Sequence, residues 1–192
     1  VGMMTCISWG IDKAKRFVGS SSIKQSIEDV LYPVAVVDLP AFETPSELNA
    51  GDLLSAAMVD ILMYDDLSAY PVNFDVISIP ANDVLARAQL RFGTEFSVEF
   101  ATLYAAGETF YYDAASGCYN VTTSPTIFSY APEVTKLQRN GDTYTASVLC
   151  VSDKASWQKH SKNFKGGSEK MIEVTLQKND DSYQIQRIVS VG

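Results

Sequence analysis

The sequence predicts an α+β domain in which N-terminal helices pack on a C-terminal antiparallel β-meander. Three observations predict it. Up to residue 92 the apolar residues recur at helical spacing, and after Gly93 they alternate as strands do. The third is "RNGD" at 139–142, whose Asn-Gly pair accepts the positive φ of a type I′ hairpin turn. Helices followed by strands is the order that segregates helices to one face of an antiparallel sheet. At 192 residues, 46% hydrophobic and 20% charged, the chain suits one such core. We read residues 1–22 as an N-terminal tether and residues 23–192 as a single α+β domain.

The elements follow in order. "GSSS" at 19–22 is expected to break the pattern. A helix then resumes in which Ile23, Ile27, Val30 and Leu31 share one face, until Pro33 interrupts or kinks it. "TPSE" at 44–47 has the form of a capping box, with Thr44 at the N-cap, Pro45 at the first helical position and Glu47 three residues on. It predicts a helix over 44–64, with Leu53, Leu54, Ala57, Met58, Ile61 and Leu62 as its core stripe. Asp52, Asp60, Asp65 and Asp66 are assigned to its exposed side. "FDVISIP" at 74–80 alternates as a short strand that Pro80 ends. A helix over 81–92 follows, with Val84, Leu85, Ala88 and Phe92 together. Asn82 and Asp83 lie near its positive end, Arg87 and Arg91 lie towards the other end, and Gly93 stands at the C′ position. Helix formation explains each of these residues, so the stretch marks a change of architecture rather than an active site. Strands are predicted at 95–104, 108–113, 117–121, 133–139, 142–153, 169–178 and 183–191. In the 169–178 strand Met171, Glu173, Thr175 and Gln177 face away from Ile172, Val174 and Leu176, as a one-sided sheet requires.

Charge and chemistry narrow the function. Net charge is −8, and residues 28–113 hold fifteen acids against Arg87 and Arg91 alone. Such a middle repels phosphate, which excludes nucleic acid as a partner. It reads as a solvated acidic face or as a surface for a basic or divalent-cation partner. The longest apolar run falls far short of the ~20 residues a membrane span needs. The opening "VGMMTCISWG" has no basic n-region and reads as a cut or processed end. Cys6, Cys118 and Cys150 are odd in number and form no CxxC, which excludes the common zinc spacings and a dense disulfide framework. They read as unpaired thiols, or as a Cys118–Cys150 bridge in an oxidising compartment. The single histidine, His160, lies in the polar stretch "WQKHSKNFKGGS" and is expected to be dispensable. There is no GxGxxG, Walker loop, GxSxG, HExxH or EF-hand ladder. No catalytic residue, metal site or cofactor is therefore assigned.

The informative constellation is aromatic. Phe92, Phe96, Phe100, Tyr104, Phe110, Tyr111, Tyr112, Tyr119, Phe128 and Tyr130 crowd into 39 residues. Phe96, Val98 and Phe100 share one strand face, and Tyr111 points away from Phe110 and Tyr112. Tyrosine joins an apolar ring to a tip that hydrates, so it suits a core and a contact surface alike. Those beyond the needs of packing are the candidate ligand-binding residues: Tyr104, Tyr111, Tyr112, Tyr119 and Tyr130.

"DVISIPANDVLARAQLRFG", followed by "TFYYDAASGCYNV" and a Tyr-rich meander, resembles extracytoplasmic, lipoprotein-type domains of Gram-positive, clostridial-type bacteria. The order of elements is similar to that of cystatin-like and NTF2-like domains, whose helices pack on a curved antiparallel sheet. The resemblance covers residues 25–190 and implies a cell-surface location without implying an activity. The reading that results is a non-catalytic binding module for a protein, peptide or glycan. Two alternatives remain: an inhibitor-like regulator of a cell-wall hydrolase that uses the acidic face, and a small NTF2-like enzyme with a carboxylate in a pocket.

Overall fold

The computed structural model describes residues 5–93, 96, 98–123, 130–152, 170–180 and 182–191, with residues 5–20 and 152 described by backbone alone. The chain is α+β, and its described residues form three α-helices and two antiparallel sheets. Helix α1 spans Thr5–Val36 and contains Pro33. The expected break at Gly19–Ser22 is absent, and the backbone stays helical through it. Ile27, Val30, Leu31 and Val34 are buried along one face of α1, as the periodicity requires. The helix ends in a Schellman arrangement: Asp38 N–H donates to Ala35 O and Leu39 N–H to Val34 O. Asp38 takes the left-handed φ of 51° that glycine usually supplies there, and buried Leu39 closes the apolar side.

The second helix starts later than the sequence suggested. Thr44 makes no capping bond to the backbone, and Pro45–Glu47 forms only a 3-10 turn. Its hydroxyl is engaged locally with Ser46 and Glu47 instead. Helix α2 runs from Ala50 to Tyr64, and its N-cap is Asn49, whose side chain accepts from Asp52 N–H at 2.9 Å. Helix α3 covers Ala81–Phe92 as expected, with Gly93 beyond it at φ 98°. Among the described residues no helix is long and apolar enough to cross a membrane.

The strands divide between two sheets rather than joining one. Strands β1 (Val72–Asn73), β2 (Val76–Pro80), β3 (Leu103–Ala105), β4 (Glu108–Asp113) and β5 (Cys118–Thr122) form the first, in the order β1-β2-β5-β4-β3. Strands β6 (Tyr130–Asn140), β7 (Thr143–Ser152), β8 (Lys170–Asn179) and β9 (Ser182–Val191) form the second, a simple meander. Within the expected strand at 95–104, pairing among the described residues begins only at Leu103. Phe96, Val98 and Phe100 still pack on the core, but outside any ladder.

Two cores result, and α2 serves both. Leu53 and Ala56 join α1, Phe92 and the inner face of β6–β9. Leu54, Ala57, Met58 and Ile61 join α3 and the inner face of the first sheet. Every residue from Leu53 to Ile61 is buried, so α2 is covered all round rather than along one stripe. Asp60 lies inside that run and is 1% exposed, which corrects its assignment to the surface.

The meander's edges are closed by side chains and by a loop. On edge strand β6, Val134 N–H donates to Glu28 Oε1 at 2.8 Å and Val134 O accepts from Lys24 Nζ at 3.1 Å, both from α1. On the other edge Phe42 exchanges two backbone bonds with Ile188 of β9. At Val134 and Ile188 this pairing satisfies edge groups that would otherwise invite another strand. Cys118 and Cys150 are free thiols on different sheets, so no bridge joins them. His160 lies outside the described residues.

Candidate functional site

The inner face of the first sheet is set by Ile77, Ile79, Leu103, Phe110, Tyr119 and Val121, all buried. Successive side chains alternate across a strand, so their neighbours are turned to the other face. Tyr104 lies directly opposite Thr109, Tyr111 opposite Asn120, and Ser78 opposite the same Asn120. No described element covers these side chains. Tyr104 is 76% exposed and Tyr111 63%. One residue pair apart diagonally, they stand roughly 7–8 Å from each other along the strands, within reach of one ligand.

The rest of that face is mostly uncharged, with polar side chains beside exposed Val76 and half-buried Pro80 of β2. Ser78 Oγ donates to Asn120 Oδ1 at 3.0 Å, fixing the amide in the middle of the sheet. Thr109, Thr122 and Asn73 extend the surface, and Asp113 marks its end. Asp113 is held by its own turn, accepting from Ser116 Oγ at 2.7 Å and Ala115 N–H at 3.0 Å. Those bonds lower its pKa below the usual carboxylate range. At the tip of the β1–β2 hairpin Phe74 is 94% exposed with φ 54°, beside exposed Val72.

The other three candidate tyrosines do not join this face. Tyr112 turns inward, its ring centroid 5.7 Å from that of Phe100 and 5.3 Å from that of Tyr119. Tyr119 is wholly buried, because β5 alternates it with Val121 on the core side. Its hydroxyl makes no well-formed hydrogen bond among the described residues. Burial, with Tyr112 adding to it, pushes its pKa up to about 12 against a smaller pull from the Ala101 backbone. Tyr130 is half-buried against the other core. The predicted patch is thus reduced to Tyr104 and Tyr111.

Sequence reasoning also missed an ionic cluster between α2 and α3. Arg91 Nε donates to Asp60 Oδ2 at 2.6 Å, and its Nη2 reaches Asp60 Oδ1 at 3.4 Å. Arg87 bridges Asp60 at 3.2 Å and Asp65 at 2.6 Å. The signal was present in the spacing. Asp60 falls seven residues after Leu53, at a core position, and Arg87 and Arg91 are four apart on the helix that packs against it. Among the described residues no group of His, Cys, Asp or Glu side chains is placed to hold a metal ion.

No protein-family model matches the chain, and neither a curated protein nor a solved structure shows significant similarity to it.

Proposed function

We propose that the chain is a non-catalytic, extracytoplasmic binding module that holds its partner flat against the open face of the first sheet. The observation that carries this reading is the pair of exposed tyrosines on a largely neutral face that no described element covers. Two rings flanked by hydroxyls and an amide supply apolar contact area at low entropy cost, together with hydrogen bonds along their sides. That chemistry suits a glycan or an extended peptide. The sequence's likeness to Gram-positive surface domains supports a cell-surface location, anchored or secreted. Helix α1 laid on the β6–β9 meander is in keeping with a cystatin-like or NTF2-like ancestry.

The alternatives have less support. The acidic face needed by an inhibitor of a basic hydrolase is thinner than its sequence suggested, since Asp60 is buried and Asp65 pairs with Arg87. An enzyme built on a pocket carboxylate finds Asp60 as the buried acid among the described residues, and two arginines occupy it.

Purified Gram-positive peptidoglycan sacculi, which carry both glycan strands and short peptides, provide the test. The wild-type chain is expected to co-sediment with them, and the Tyr104→Ala/Tyr111→Ala variant to lose at least about tenfold in affinity. Its thermal midpoint should be unchanged, because neither ring is part of a core. Equal retention of the variant, or no retention of the wild type, overturns the proposal.

A further inference from the structure

Away from the tyrosine face, a cleft of about 440 Å³ opens between α1, the last turns of α2 and α3, and the β8–β9 hairpin. Arg91 lines it from α3, Asp29 from α1, Tyr64 from α2, and Lys178, Ser182 and Tyr183 from the hairpin. Asp60 fixes the Arg91 guanidinium through Nε and Nη2, and neither contact uses Nη1. The Arg91 side chain remains 16% exposed although its partner is buried. A guanidinium held on one edge, in a side chain that stays partly exposed and lines a cleft, is preorganised to accept a carboxylate.

We propose that this cleft binds a small zwitterion of amino-acid type, its carboxylate on Arg91 and Lys178 and its ammonium on Asp29. Asp29 opposes a simple anion, and Arg91 with Lys178 opposes a simple cation. A ligand carrying both charges satisfies all three. Tyr64 lines the same cleft and lies within electrostatic reach of both Asp29 and Arg91. Burial first, then the carboxylates of Asp29 and Asp60, raise its pKa to about 12, which keeps it a neutral hydroxyl able to donate or accept. The Asp29 carboxylate accepts from Gln25 Nε2 at 2.9 Å, one turn earlier on α1. The volume lies within the usual range of small-molecule sites and suits a free amino acid or a dipeptide.

The test is a titration at constant ionic strength, followed by backbone amide shifts, with four probes: L-alanine, L-alanyl-L-alanine, acetate and methylammonium. At least one zwitterion should saturate in the millimolar range or below, moving the resonances of Ser182 and Tyr183. Acetate and methylammonium should each bind about tenfold more weakly or not at all. Asp29→Asn and Lys178→Ala each leave the Asp60 cluster intact, so neither endangers folding, and each should weaken the zwitterion about tenfold. The proposal is overturned if neither zwitterion saturates, if acetate binds as well as they do, or if both variants retain wild-type affinity.

Discussion

Asp60 is an acid at a position that helical periodicity gives to the core, and the two arginines of α3 are what make that position tolerable. Removing one partner of a buried pair leaves the others desolvated and unmatched, and this costs about 3–5 kcal/mol. Asp60→Asn should therefore lower stability by about that amount in urea denaturation. Asp65→Asn, at a side chain 27% exposed, should cost no more than about 1 kcal/mol. Similar losses for the two variants would mean that the cluster behaves as a surface network. The sequence hid Asp60 because charge type and periodicity gave opposite answers, and charge type was followed. Tyr111 was legible because it alternates with Phe110 and Tyr112, whereas Tyr104 shares the parity of Phe96, Val98 and Phe100 and is turned outward only because the ladder starts at Leu103. Tyr119 falls on the core side because it alternates with Asn120 and shares its face with Val121.

At the scale of elements, what was legible is what local residues determine. Both ends of α3 are set within the chain, by Pro80 at the close of a strand and by Gly93 at a positive φ. The start of α2 was misplaced because two N-terminal signals compete within six residues. The Thr44 motif spends its bonds on its own 3-10 turn, while Asn49 caps the helix that forms. Asn49→Ala should thus cost about 1 kcal/mol and Thr44→Ala a few tenths, a contrast that thermal melts resolve. The reverse order would restore the capping box. The division into two sheets was not legible for a different reason. Strand β2 precedes α3 yet pairs with β5 some forty residues later, and no local pattern encodes such a partner. The full burial of α2 follows from that pairing, since a helix between two sheets needs two apolar faces.

For the molecule as a whole, sharing α2 between the cores means that a loss in one is felt by both, so titration within the first sheet should register in global stability. Tyr119 is the clearest case, with a folded pKa near 12 and an unfolded value near 10. Its folded form holds the proton over a range in which the unfolded chain has released it. The resulting stabilisation is fully present below pH 10 and is lost as pH rises from 10 towards 12. Tyr64, Tyr70 and Tyr183 are shifted in the same direction, chiefly by burial, and steepen the decline. Tyr119 alone is expected to supply about 2–3 kcal/mol of it. Tyr119→Phe isolates that share. At neutral pH the variant should stay within about 1 kcal/mol of the wild type, because the deleted hydroxyl has no well-formed bond to lose. Between pH 10 and 12 its urea midpoint should fall less steeply than that of the wild type. An unchanged alkaline slope would show that the Tyr119 hydroxyl does not retain its proton through burial. A large loss at neutral pH would show that it has a partner.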